Sequence, residues 1–143
     1  MKKTKTNTDR KYLPTLADLI DALSIDQIKE IKLDNKQSYA LEIKKISYDI
    51  DMLISQKQIK LSAKLIRMII VIAQMNLFIW NNKDKMQEDP KHYNDLLKMA
   101  HQLNGIRNRI KNLILEQSDE VEPSKKRTNV ETDDFKGWEI SIE

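Results

Sequence analysis

Few residues in this chain are equipped for chemistry. His92 and His101 are its two histidines. Nine positions apart on one expected helix, they are separated by about 900° of rotation and face opposite sides. They cannot share a metal within one chain, and no H-E-x-x-H or paired E-x-x-H accompanies them. They read as helix-surface histidines. Carboxylates are the next candidates, since clustered acids on facing helices can hold magnesium, as a helical nucleotide hydrolase requires. Glu42, Asp49 and Asp51 form one group; Glu116, Asp119 and Glu120 form another. Glu42 and Asp49 share a helix face, but Ile43, Ile46 and Ile50 mark a neighbouring face as the buried one, so a solvated rim is the better reading. Neither a P-loop nor a G-x-G-x-x-G is present, and two glycines are too few for a phosphate cradle. No catalytic residue, cofactor site or metal site is assigned.

The most specific polar grouping lies in HQLNGIRNR. His101, Asn104, Arg107 and Asn108 recur at spacings of three and four, one stripe of a helix. Arg67 and either Asp18 or Asp21, on other helices, are able to pair with it. Two readings follow: a partly buried hydrogen-bond network that fixes helix register, or a pocket for a small anionic ligand. The first is preferred. Basic residues Lys98, Arg107, Arg109 and Lys111 on the same segment, with a basic N-terminal arm, would also suit contact with a nucleic-acid phosphate backbone. No helix-turn-helix is recognisable, and aromatic residues make up 6% of the chain, mostly on apolar faces.

The element that must organise these groups is LIRMIIVIAQMNLFIW, Leu65 to Trp80, in which Arg67, Gln74 and Asn76 are the strongly polar members. As a helix it would be about 24 Å long, short of the ~30 Å hydrocarbon core of a bilayer. Arg67, Gln74 and Asn76 would be costly in lipid. The expectation is a helix buried on nearly all sides rather than a membrane span, with partners drawn from the rest of the chain or from a second copy.

Around it the pattern is helical. Thr15 with Asp18 makes an N-terminal box before Leu16, Leu19, Ile20 and Leu23. Ser24 with Gln27 suggests a second start at Ile25, so two short helices bent at Ser24 are expected, capping the end of a bundle. A helix over about Lys36 to Gln58 carries the seam Tyr39, Ile43, Ile46, Ile50 and Leu53. The short link around Ile59–Leu61 predicts that this helix and the next are antiparallel neighbours. Ser62 is a cap candidate for the apolar helix, whose pattern fades after Trp80. Asp89-Pro90 opens a last helix reaching about Gln117, with Tyr93, Leu96, Leu97, Ala100, Leu103, Ile106, Ile110, Leu113 and Ile114 as its buried face.

Residues 1–12 are basic and without periodicity, and read as a disordered arm. Residues 118–143 read as a flexible acidic tail, a linker ending in FKGWEISIE, where Phe135, Trp138, Ile140 and Ile142 return apolar mass with the alternation of a strand. Those four are the candidate partner-binding residues of the tail, with folding back over a groove of its own bundle as the equal alternative. Net charge is +3 and there is no cysteine, which fits a cytoplasmic setting.

LADLIDALSIDQIKE contains an L-I-D-x-L-S-I stretch followed by a lysine, and HQLNGIRNRI an L-N-x-x-R-N stretch. Both resemble stretches in small helical proteins of tailed phages and bacteria. The resemblance implies an all-helical fold and a phage or bacterial setting, hence the host cytoplasm if phage-encoded. It implies no activity. The sequence thus points to an all-α bundle of three main helices with a bent N-terminal cap, residues 13–117. Its expected role is that of a non-enzymatic accessory or assembly protein acting through protein contacts, a homo-oligomer, with nucleic-acid binding and nucleotide hydrolysis as alternatives.

Overall fold

The computed structural model describes residues 13–120, and these form an all-α fold. Four helices follow in order: α1 Leu16–Lys32, α2 Lys36–Lys57, α3 Ala63–Glu88 and, after one 3-10 turn at Pro90–His92, α4 Tyr93–Gln117. The basic arm, and the tail candidates Phe135, Trp138, Ile140 and Ile142, lie outside the described residues.

The chain folds as two helical hairpins. α1 packs on α2, α3 packs on α4, and α1 also lies against α3 and α4. The core is the α1–α3–α4 junction, built from Leu16, Ala17 and Ile20, from Leu65, Met68, Ile72 and Met75, and from Leu103, Ile106, Ile110 and Ile114. This differs from the sequence expectation in a specific way. α1 is not a bent cap but one unbroken helix of 17 residues and a full core member. The expected break at Ser24 fails because the Ser24 hydroxyl does not cap a new helix. It donates to the Asp21 carbonyl one turn back, at 2.8 Å, and so stays inside the helix.

α2 has the converse fate. Its seam Tyr39, Ile43, Ile46, Ile50 and Leu53 is half-buried, yet no residue of the helix is fully buried. Ile50 and Leu53, with Ile59 beyond the helix, reach the core. α2 is not the packing neighbour of α3 that the short link suggested; it rides on α1. Three groups fix that hairpin. Lys36 Nζ accepts no bond but donates to the orphan carbonyls of Glu30 and Ile31 at the end of α1, at 2.7 and 3.1 Å. Lys29 lies 5.9 Å from the centre of the Tyr39 ring.

The ends of the helices are read from side chains. Thr15 and Asp18 form the expected capping box on α1. Ser62 caps α3 by accepting from Leu65 N at 3.1 Å. α2 closes with Gln58 in the left-handed conformation at φ 51°, and Ile59 N donates back to Ile54 O at 3.1 Å. A non-glycine residue is disfavoured there. Gln58→Gly is expected to raise unfolding free energy by about 0.5–1 kcal/mol, read as a higher urea midpoint at unchanged slope. The exposed Gln58 side chain offers nothing to offset that gain.

α3 runs eight residues beyond the expected fade-out at Trp80, because no breaker intervenes before Asp89-Pro90 and because Asn82 is buried with its amide donating to Leu96 O at 3.0 Å. At 26 residues it is long and apolar enough to cross a bilayer by length and composition, with a mean hydropathy of 1.6 over its best window, a correction to the shorter stretch read from sequence. Within the chain 39% of that window is buried. So α3 is amphipathic in effect, not covered all round. Leu65, Met68, Val71, Ile72, Met75, Asn76 and Ile79 face the core, while Ile66, Ile70, Leu77 and Phe78 face out.

Candidate functional site

The polar junction between α1, α3 and α4 is built from their inner faces. Asp21 is 4% exposed, one turn after Asp18 on α1. Arg107 of α4 grips it as a fork: Nε donates to Oδ1 at 2.9 Å and a terminal nitrogen pairs with Oδ2. Asn76 of α3 donates its amide to the same Oδ1 at 2.8 Å and to the Ser24 hydroxyl at 2.6 Å. Lys111, one turn beyond Arg107 and itself buried, reaches Asp18 at 2.9 Å and Asp21 at 3.5 Å. Asn104 accepts from Arg107 at 3.4 Å.

Burial alone would raise both carboxyl pKa values. For Asp21 the hydrogen bonds of Arg107 and Asn76, then the charges of Arg107 and Lys111, outweigh it and hold the carboxyl below its ordinary 3.8. Asp18 is likewise lowered, burial being overcome by its bond to Lys111, that residue's charge, and the Thr15 bonds. Each Asp21 oxygen is already engaged, so the junction joins helices and has no open coordination to offer a substrate. Of the residues expected to group, Arg107 and Asn104 do so. His101 is exposed, Asn108 is half-buried, and Arg67 sits exposed on α3, about two and a half turns from Asn76. Asn76 and Lys111 join the junction although the sequence reading places neither in it: Lys111 is grouped there with the basic residues of α4. Their signal was a pair of acids three apart on one helix and a pair of bases four apart on another, with an amide inside the apolar run between them.

No protein-family model, curated protein or solved structure matches the chain.

A second junction ties three helix ends together. Glu120 accepts from Leu16 N at 3.0 Å, from the Ser118 hydroxyl at 2.8 Å and from Lys57 at 3.1 Å. Ser118 is buried, so residues 118–120 belong to the helical body and not to the tail assigned from sequence. Glu120, weighed from sequence as a metal ligand, is instead a clamp across α1, α2 and α4. Glu42, exposed on α2, stands by Asp26 of α1. Among the described residues, no group of three or more His, Cys, Asp or Glu side chains is placed to hold a metal ion.

Among the described residues, Asp26 is the acid whose carboxylate is disfavoured by the fold. It is 4% exposed, and its Oδ2 is buried without a hydrogen-bond partner. Burial first, then the hydrogen bond and charge of Glu42, push its pKa above 3.8 against the pull of Lys29. A folded pKa above the unfolded one means a contribution that is complete below the unfolded value and lost as pH rises through the folded value. At neutral pH the carboxylate is therefore a liability. Asp26→Asn is expected to raise the unfolding free energy at pH 7 by about 1 kcal/mol, and the gain should shrink on acidification through the carboxylate range. Urea midpoints at pH 7 and pH 4 check both parts.

An open cleft of about 510 Å³ at the α3–α4 turn is lined by Lys85, Glu88, Asp89, His92 and Asp95 among others. His92 shares a bond of 2.7 Å with Asp89, which raises the histidine pKa by hydrogen bonding first and by charge second. Both partners are exposed and the lining mixes signs, so the cleft lacks an organised charge.

The remaining feature is apolar and faces outward. On α3, Ile66, Ile70 and Leu77 are 43%, 50% and 42% exposed, and with the exposed Ala73 they recur at spacings of four, three and four. On α2, Leu41, Tyr48 and Met52 form a thinner stripe on the side away from α1, interrupted by Lys45.

Proposed function

We propose that this chain is a non-enzymatic accessory or assembly protein that works through protein–protein contacts and associates with itself, in the cytoplasm of a bacterium or of a phage-infected host. The observation that carries the reading is the outward apolar stripe of α3. Four side chains of the size of Ile66, Ile70, Leu77 and Phe78, each about 40–50% exposed, leave on the order of 300 Å² of apolar surface on one helix, a patch size that tends to be functional. Meanwhile the polar groups with the greatest chemical potential are occupied: Asp21, Arg107 and Lys111 by one another, and Glu120 by three helix ends.

The same occupancy weakens the alternative of a phosphate-backbone binder. Of the basic residues on α4, Arg107 and Lys111 are turned inward to Asp21 and Asp18. The hydrolase alternative has no carboxylate cluster among the described residues to support it. Light scattering on the eluting full-length chain across a hundredfold concentration range tests the main reading. A dimer or larger species is expected; a monomer throughout, with no partner captured, overturns it. A gel shift that weakens steeply with salt would favour the phosphate binder instead.

A further inference from the structure

We propose that two copies of the chain pair through the outer stripe of α3, antiparallel, about a two-fold axis near Ala73; this rests on the self-association reading above. The 4-3-4 spacing of Ile66, Ile70, Ala73 and Leu77 is the seam of a two-helix contact. Such a seam is matched by another helix of the same spacing, and a second α3 supplies it by symmetry. Centring the pair between Ala73 and Gln74 sets Ile70 against the partner's Leu77 and brings the small side chain of Ala73 to the axis, where two helices must approach most closely. At 26 residues α3 is about 39 Å long. The stripe, flanked by Phe78 and the half-buried Trp80, supplies on the order of 300 Å² of apolar surface per copy, which places the pairing at the small end of the interface size range.

Charge decides the direction. Past Leu77 the stripe continues through Asp84 and Glu88, both exposed, with Lys85 to one side. Its beginning has Lys60 and Arg67 beside it and the positive end of the α3 dipole. A parallel pair would set Asp84 and Glu88 against their own copies. An antiparallel pair lays Asp84 along the first turn of the other α3, near Ala63. The α2 stripe offers no equivalent, because Lys45 occupies the middle of its seam and would meet itself or its neighbourhood across an axis.

The chain has no cysteine, so single cysteines report geometry cleanly. In the oxidised full-length chain, Ala73→Cys is expected to give a disulfide-linked dimer as the main product. Ile66→Cys is expected not to, since antiparallel copies would lie about 22 Å apart along the axis. Ile70→Asp should weaken self-association at least tenfold in sedimentation velocity with helicity unchanged, and Leu41→Asp on α2 should not. If the wild-type chain is monomeric, both this proposal and the self-association reading fall. If it is a dimer that Ile70→Asp and Leu77→Asp leave intact, or that loss of residues 135–143 abolishes, the α3 pairing falls and self-association stands. Crosslinking at Ile66→Cys but not Ala73→Cys overturns the antiparallel arrangement.

Discussion

Replacing Asp21 by alanine is expected to lower the unfolding free energy by about 3 kcal/mol, out of a total of ~5–15 for a domain of this kind. Removing one partner of a buried charge pair usually costs ~3–5 kcal/mol because the other is left uncompensated. The lower end applies here. The Arg107 side chain is 25% exposed and can turn toward water, and Lys111 keeps Asp18 at 2.9 Å. Asn76 cannot escape: at 4% exposure it loses a buried acceptor. The double variant Asp21→Leu with Arg107→Met should recover much of the loss, since an apolar pair of similar volume is often neutral where a broken ion pair is not. The pH profile follows in sign. Asp18 and Asp21 have folded pKa values below the unfolded 3.8, so their contribution is full above that value and is lost as pH falls through the folded one. Wild-type stability should drop below about pH 4, and Asp21→Ala should flatten that drop. Urea titrations from pH 7 to pH 2.5 measure all three. A single-variant loss under 1 kcal/mol would mean that the junction does not hold the helices together.

The second large effect separates α1 from α2. Ile20→Ala removes a 6% exposed side chain from the core and is expected to cost about 2–5 kcal/mol. Leu41→Ala on α2, 57% exposed, should stay within about 0.5 kcal/mol. If the two helices exchanged roles, with α1 a terminal cap, the Ile20 loss would fall toward the size of the Leu41 one. Paired denaturation curves on the two variants therefore test the placement of α1 in the core.

That reversal marks where the sequence could be read and where it could not. Local signals were legible: the Thr15–Asp18 box and the Ser62 cap each fix backbone groups within a few residues and stand in the structure, whereas Asp89-Pro90 opens a 3-10 turn without a side-chain cap and α4 begins at Tyr93. The α2 seam was also read correctly as a face. What a face packs against is a tertiary matter. Tyr39 to Leu53 looked like the interior of a bundle, but their main partner is α1, and Ile50 and Leu53 reach only the margin of the core, so the seam ends half-buried. The run of apolar residues in α3 hid its own asymmetry, because Ile66 and Ile72 are chemically alike while one faces out and the other in. Ser24 failed as a break because its hydroxyl was claimed by the Asp21 carbonyl and by Asn76, fifty-two positions later. The Asp21–Arg107 pairing was within reach as one option among several. Lys111 was read as part of a basic surface, since nothing local shows that a lysine amid polar neighbours will be buried against two acids.

Glu120 has one more consequence. Its carboxylate touches the amide of Leu16, so the first and last turns of the helical body stand side by side. A few residues of linker would suffice to join them covalently. New termini could then be opened at the tight α1–α2 turn around Asp34 and Asn35, which is exposed. In such a circular permutant α1 would be the final segment of the chain rather than the opening one, while Leu16, Met75 and Ile110 kept the same surroundings.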